Sequence, residues 1–181
     1  MALNNDEKKI LLDTARECIT AKIEKRDPVL TDIKTLPPSL LLNAGAFVTL
    51  NEKKMLRGCI GYIEPLYPLF DTICQASIQA AFHDPRFKPL AKEELAFLDI
   101  EISVLYPPYD INGYDDIIIG KHGLILDEPR HRALLLPQVA VEHDMDVHQF
   151  LTALCEKAWI APLEWEKRQL KLKAFETQTF S

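Results

Sequence analysis

Cysteine is scarce in this 181-residue chain, and its four copies are widely spaced. No two cysteines form a C-x-x-C pair, and the C-x₃-C-x₂-C triplet of iron–sulfur radical enzymes is also missing. Metal sites built on cysteine need ligands at such short spacings. We therefore predict a reduced protein that folds without a disulfide, a bound metal or a redox cofactor, with free thiols at Cys18, Cys59, Cys74 and Cys155.

Long apolar runs and a surplus of positive charge are missing as well. No uninterrupted apolar stretch approaches the ~18 residues that cross a bilayer, and the polar N-terminal segment does not resemble a secretory signal peptide. Acidic residues outnumber basic ones by 27 to 21, which gives a net charge of −6. A field of this sign repels polyanions. The composition therefore predicts a cytoplasmic protein with neither a membrane nor a nucleic acid as its partner.

Several catalytic motifs do not occur in the sequence. It contains no G-x-x-x-x-G-K-[ST], G-x-G-x-x-G, H-E-x-x-H or G-x-S-x-G. The phosphate-loop, Rossmann, zincin and serine-hydrolase classes thus lose their main support. His143 and His148 are five residues apart and do not share a helix face, which argues against a metal pair.

The sequence does contain a mixed pattern of helices and short strands. Apolar residues recur at helical spacing from Asp6 to before Asp27, from Leu69 to Asp84, and around Val147–Leu154. Alternating or apolar stretches predict strands at residues 46–50, 56–63, 97–106, 117–119, 123–127, 133–136 and 170–180. Short turns between strands, with helices between groups of strands, predict an α+β fold with an antiparallel sheet. The length predicts one domain over residues 1–181. An alternative is that this domain consists of two intertwined subdomains without a linker.

The densest chemical signal is the strand segment Leu56-Arg57-Gly58-Cys59-Ile60-Gly61. Arg57 and Cys59 share one face of a regular strand, and a neighbouring cation favours the nucleophilic thiolate. Cys59 is therefore a candidate catalytic nucleophile, with Arg57 as its partner. The alternative is that Cys59 is a small buried hydrophobe in a tight hairpin.

Gly58 and Gly61 remove the side chains on either side of Cys59. Glycine at such positions permits a positive φ, or the close approach of a ligand or of another backbone segment. Both residues are therefore candidates for ligand contact next to the thiol.

The segment Asp84-Pro85-Arg86-Phe87 ends the second predicted helix. Asp84 can cap or turn the chain, and the planar guanidinium of Arg86 suits a carboxylate or a phosphate. Both residues are candidates for ligand binding. The alternative is a surface ion pair between them, worth about 0–1 kcal/mol.

Two further binding candidates lie in the second half of the chain. His122 stands between Gly120 and Gly123 in a predicted hairpin, where the alternative is an ordinary turn histidine. Gln138 follows the apolar run Leu134–Pro137. It is placed either to bind a ligand or to fix the following turn by a hydrogen bond.

Together these segments resemble the AMMECR domain, also called AmmeMemoRadiSam system protein A in bacteria and archaea. The resemblance covers about residues 8–176 and implies a barrel-like antiparallel sheet built from two β-rich halves with flanking helices, but no established reaction. The system's name implies Memo-type and radical-SAM proteins as partners in a shared modification pathway. Trp159 departs from the family pattern, which has glycine at this point. The matching blocks are residues 45–50, 56–61, 84–87 with 89–90 and 94–95, 102–105, 119–124, 134–140, 150–151 and 155–158.

Two classes of function are compatible with this sequence. In the first, the protein is an enzyme or enzyme subunit in which Cys59 and Arg57 face a groove, with Arg86, His122 and Gln138 as binding residues. In the second, it is a non-catalytic adaptor whose glycine-rich groove holds a peptide or a partner's edge. An accessible Cys59 in a concave site would favour the enzyme, and a flat apolar patch beside a buried Cys59 would favour the adaptor.

Overall fold

A computed structural model describes residues 2–181, which divide into two compact units. The first unit comprises the chain up to Leu105 together with Gln178–Ser181, and the second comprises Tyr106–Thr177. Each unit has its own apolar core. In chain order the helices and strands are α1 (Asn5–Glu24), β1 (Ala46–Glu52), β2 (Met55–Tyr62), α2 (Leu69–Phe82), β3 (Leu98–Leu105), β4 (Tyr109–Asp110), β5 (Gly123–Glu128), β6 (His131–Leu135), α3 (Pro137–Glu142), α4 (Val147–Lys157), α5 (Glu164–Lys167), β7 (Leu172–Phe175) and β8 (Thr177–Phe180).

In the first unit, the sheet has the strand order β2-β1-β3-β8 and packs against α1 and α2. Helix α1 begins with reciprocal hydrogen bonds between Asn4 and Glu7, which satisfy amide groups that the helix leaves unpaired. The strands β1 and β2 form the predicted hairpin. Its two turn residues, Lys53 and Lys54, both have a positive φ, as a two-residue turn that matches the strand twist requires.

The first unit contains an unexpected covalent link between its two helices. Cys18 of α1 and Cys74 of α2 form a disulfide, with their Cα atoms 5.9 Å apart. The prediction of four free thiols is therefore wrong. The two cysteines are 56 residues apart in sequence, so their spacing does not reveal that the apolar faces of two packed helices bring them together.

In the second unit, the sheet has the strand order β4-β7-β5-β6 and packs against α3 and α4. The apolar run that includes β6 continues directly into α3, in which Pro137 takes the first helical position. The core is built around Leu124, Phe150 and Leu154, which are fully buried. Helix α3 was not predicted from the sequence.

Two predicted strands differ from the structure. Residues 117–119 form no strand, because the Ile117 N–H donates to the Tyr114 carbonyl and the Ile118 carbonyl accepts from the His122 N–H in local turns. Residues 170–180 form two strands, β7 and β8, that belong to different sheets.

The mixed helix and sheet composition and the antiparallel pairing are confirmed. Within residues 2–181, however, the strands form two separate open sheets, so the barrel-like sheet is not found there. In each unit, helices of the same unit cover one face of the sheet. That face is therefore buried without closure of the strands into a barrel. Over the same residues, none of the helices is both long and apolar enough to span a membrane.

Candidate functional site

The candidate thiol site is built on β2, which is an edge strand of the first sheet. The register of the hairpin shifts between Leu50, which faces Gly58, and Asn51, which faces Leu56. Arg57 is therefore the extra residue of a β-bulge. The bulge moves every later residue of β2 by one position, and so changes which side chains meet across the hairpin.

Cys59 lies in a row across three strands with Thr49 of β1 and Glu101 of β3. Thr49 is directly opposite each of them in register, so all three side chains project from one face of the sheet. The Thr49 hydroxyl donates to Cys59, with Oγ1 3.3 Å from Sγ. All three residues are half-buried, whereas Val48 and Ile102 on the other face are fully buried. The thiol thus lies on the face of the sheet away from its core.

Asp84 and Arg86 hold the backbone of Cys59 at the edge of β2. The Cys59 N–H donates to Asp84 Oδ2 at 2.9 Å, and Arg86 Nη2 donates to the Cys59 carbonyl at 3.3 Å. Arg86 also donates to Asp84 from Nε at 3.0 Å and from Nη2 at 2.7 Å. Two loop residues therefore satisfy the backbone groups that a neighbouring strand would otherwise pair.

The Asp84–Arg86 ion pair is buried on its acidic side. The Asp84 side chain is 2% exposed and that of Arg86 is 52% exposed. The pair is therefore not the exposed surface ion pair that the sequence left open as the alternative. The hydrogen-bonded guanidinium holds the pKa of Asp84 far below its usual value against the opposing effect of burial, and the Cys59 and Arg86 N–H groups lower it further. The carboxylate raises the pKa of Arg86. Both groups therefore remain charged at neutral pH.

Arg57 binds Glu94, which follows α2 in the chain. Its Nε and Nη2 donate to the two Glu94 carboxylate oxygens at 2.6 and 3.1 Å, and Nη2 also donates to the Lys88 carbonyl at 2.9 Å. The hydrogen-bonded guanidinium lowers the pKa of Glu94, and Nη1 of Arg57 is buried without a hydrogen-bond partner. A carboxylate thus matches the positive charge of Arg57, and the pair fixes β2 to the segment Lys88–Glu94.

Close packing, rather than a positive φ, accounts for Gly58 and Gly61. A Cβ at Gly58 would overlap the backbone carbonyl of Ala80 in α2, and a Cβ at Gly61 would overlap the ring of Phe47. Among the described glycines, Gly120 is the one with a positive φ. Protein atoms therefore fill the space next to both glycines of the thiol segment.

The four cysteines differ in their accessibility. Cys18 and Cys74 are linked to each other. Cys155 is a free thiol that is buried in the second unit, and burial raises its pKa. Cys59 is free and half-buried, so it is the more exposed of the two free cysteines.

His122 and Gln138 lie in the second unit. His122 is buried, accepts the Ile118 N–H at Nδ1 (3.2 Å), and has Nε2 3.0 Å from the Tyr109 hydroxyl. A neutral ring that accepts at Nδ1 donates from Nε2, so both nitrogens have partners. Gln138 is half-buried in the first turn of α3. Within residues 2–181, no group of three His, Cys, Asp or Glu residues is arranged to hold a metal ion.

Sequence reasoning did not identify Thr49, Glu94 or Glu101 as site residues. Thr49 and Glu101 could be found from strand register, but only if the bulge at Arg57 were known. Glu94 contacts Arg57 across 37 residues of sequence, and no local pattern marks that contact.

Comparison with known proteins gives consistent matches over nearly the whole chain. The AMMECR1 family profile matches residues 12–180. A relative from Methanosarcina acetivorans is 42% identical and aligns over 98% of this chain and 92% of its own. The crystal structure of the uncharacterized protein PH0010 from Pyrococcus horikoshii is similar, with a TM-score of 0.89, 35% identity, and coverage of 98% of this chain and 92% of that one. The names of these relatives state no activity, so the likeness supports a family and a fold but no reaction.

Proposed function

Because the chain belongs to the AMMECR1 family, whose compared members have no named reaction, we propose its function from the geometry of the Cys59 site. The protein is a cytoplasmic enzyme, or the subunit of one, that uses Cys59 as a nucleophile. One observation carries this proposal: Cys59 is held at three points, with its N–H bound by Asp84, its carbonyl by Arg86 and its sulfur by Thr49.

A thiol held in this way suits nucleophilic chemistry. A nucleophile works best when neighbouring groups fix its position before the substrate arrives, and here two partners hold the backbone rather than the sulfur. The half-exposed guanidinium of Arg86 is adjacent to Cys59. We expect Arg86 to bind a carboxylate or phosphate of the substrate. Asp84 then holds the guanidinium of Arg86 in position. The ion pair between Arg57 and Glu94 holds strand β2.

The partners proposed for this activity are Memo-type and radical-SAM proteins. The support is the family resemblance, whose system name joins these three components in one modification pathway. His122 and Gln138 remain proposed ligand contacts of the second unit. Both ring nitrogens of His122 already have partners, so a ligand would contact this ring through its carbon atoms or by displacing one of those partners.

A second candidate function, a non-catalytic adaptor, is favoured by an exposed apolar surface in the first unit. An isolated β-bridge between Asn43 and Pro68 brings the chain around residues 41–43 next to the chain around residues 63–68. Contiguous exposed apolar side chains mark sites of protein association. Strand addition next to Cys59 is disfavoured, since Asp84 and Arg86 already bind its outward-facing backbone groups. The exposed side chains on or next to the two segments are Leu41, Leu42, Ile63, Leu66 and Tyr67.

An untargeted metabolite screen combined with affinity capture separates these two functions. Wild type, Cys59→Ala and the matched control Cys155→Ala would be tested side by side. The enzyme proposal predicts a small-molecule ligand that Cys59→Ala loses and Cys155→Ala keeps, while all three capture the same protein partners. Partners shared by all three, with no ligand lost in Cys59→Ala, would instead support the adaptor.

A further inference from the structure

We propose that Thr49 is a positioning residue that stabilises Cys59 as a thiolate through the hydrogen bond across the hairpin. This inference rests on the proposed nucleophilic role of Cys59, and it adds the group that sets the reactivity of the sulfur. The Thr49 hydroxyl contacts the sulfur itself, at 3.3 Å. Asp84 and Arg86, in contrast, contact the backbone of Cys59.

The chemistry of the hydroxyl fixes the direction of this effect. A threonine hydroxyl has one proton and two lone pairs, and toward a thiolate it acts only as a donor. A hydrogen bond donated to the charged form of an acid favours that form over the neutral one. Threonine is also branched at Cβ, which restricts the rotation of its side chain. Thr49 lies on β1, which is paired on both sides by β2 and β3, so the donor is held in place.

The bulge at Arg57 creates this contact. Regular pairing away from the Lys53-Lys54 turn would put Gly58 opposite Thr49, and Cys59 opposite Val48, which is fully buried. The extra residue moves Cys59 by one position and so turns its side chain from the core face to the outer face. One irregularity thus places Cys59 on the outer face of the sheet and also brings it opposite its hydrogen-bond donor.

The test compares alkylation rates of Cys59 in two variants of similar shape. Thr49→Val removes the hydroxyl and keeps the branching, while Thr49→Ser keeps the hydroxyl. Loss of the donor lowers the thiolate population and raises the intrinsic nucleophilicity of the sulfur to a smaller extent, so the net rate of alkylation falls. The second-order rate with iodoacetamide at pH 7 would be read by peptide mass spectrometry. Cys155, which is buried, reports any unfolding in the same sample.

We expect Thr49→Val to react about threefold more slowly than wild type and Thr49→Ser to stay within about twofold of it, with Cys155 unlabelled in all three proteins. Equal rates for wild type and Thr49→Val would overturn the inference and leave the nucleophile proposal intact. Equal slowing in both variants would also overturn it, because the side chain would then act only through packing. An unreactive Cys59 in the native wild type would be a failure of the proposed function itself.

Discussion

The two units use their polar side chains in opposite ways. In the first unit, Asp84 and Arg86 bind the backbone of half-buried Cys59, and the Thr49 hydroxyl donates a hydrogen bond to its sulfur. In the second unit, both nitrogens of buried His122 have partners, and Cys155 lies in the apolar core. We infer from this comparison that the network around Cys59 fixes its backbone while the side chain stays half-buried, an arrangement that suits the proposed nucleophile. In His122, by contrast, both polar atoms of a buried side chain are used by hydrogen bonds within the protein.

The largest expected effect comes from the disulfide, which links Cys18 and Cys74 in the first unit. Closing a loop between residues 56 positions apart restricts the unfolded chain, and this stabilises the native state by roughly 4 kcal/mol in the chain-entropy account. We expect the double variant Cys18→Ser/Cys74→Ser to lose a stability of that order in urea denaturation without reductant. Wild type treated with reductant is the control and should lose a similar amount. If the denaturation midpoint of the wild type is the same with and without reductant, the disulfide between Cys18 and Cys74 does not form.

Removing Asp84 tests whether the ion pair of the first unit is part of the fold. Asp84→Ala removes the buried acceptor of the Cys59 N–H and of half-exposed Arg86, which we expect to lower the free energy of unfolding by about 2 kcal/mol. The matched change in the second unit is Asp127→Ala, whose partly exposed carboxylate pairs with Arg132 at 3.1 Å and which should cost less than about 1 kcal/mol. Similar losses in both variants would remove the distinction between the two networks.

Acid titration provides a second measure of the same pair. The pKa of Asp84 is lower in the folded protein than in the unfolded chain, so its contribution is present above the unfolded value of about 4 and is lost as pH falls through the folded value. Stability of the wild type should therefore fall below about pH 4 more steeply than that of Asp84→Asn, in which position 84 does not titrate.

Two glycine substitutions compare close packing with open space. Gly58→Ala would place a Cβ against the backbone carbonyl of Ala80, whereas no atom lies within 4 Å of a Cβ at Gly113. Because backbone atoms must move in the first case, we expect a loss of about 2 kcal/mol or more for Gly58→Ala, and a change within about 0.5 kcal/mol for Gly113→Ala. Denaturation midpoints that are equal in the two variants would contradict the packing assigned to Gly58.

The smallest effect is a gain of stability in the second unit. Trp159 has a φ of 58° and is 90% exposed, so its side chain contributes little packing while its backbone is in the left-handed region. That conformation costs a non-glycine residue about 1–2 kcal/mol, part of which is offset because glycine loses more entropy on folding. We expect Trp159→Gly to be more stable by about 0.5 kcal/mol in thermal denaturation. A lower melting temperature would mean that the indole ring contributes more packing than its exposure indicates.

Local patterns in the sequence predict the elements, and tertiary contacts decide the site. The apolar periodicity of α1 and the alternation in β1 are local, and both patterns predict bounds close to the observed ones. The family resemblance also identified the position of Trp159 as one that normally has glycine, and its positive φ explains why. The helix pairing that joins Cys18 to Cys74 has no such local signal.

The same limit applies to the site itself. Regular strand alternation predicts that Arg57 and Cys59 act as one pair, yet Arg57 binds Glu94 and the Cys59 sulfur contacts Thr49. The β-bulge at Arg57 gives the two side chains different neighbours. No side-chain pattern in residues 56–61 indicates that bulge. Strand register, rather than residue type, is therefore what the sequence alone left undetermined.

Competitive labelling of the cysteines tests the central claim most directly. Native protein without reductant would be treated with iodoacetamide at pH 7, and the modified peptides would be quantified over time by mass spectrometry. The structure predicts that Cys59 is modified first, that Cys155 is modified only on unfolding, and that Cys18 and Cys74 are modified only after reduction. If Cys59 stays unmodified until the protein unfolds, it is a packing residue and its proposed role as a nucleophile is wrong.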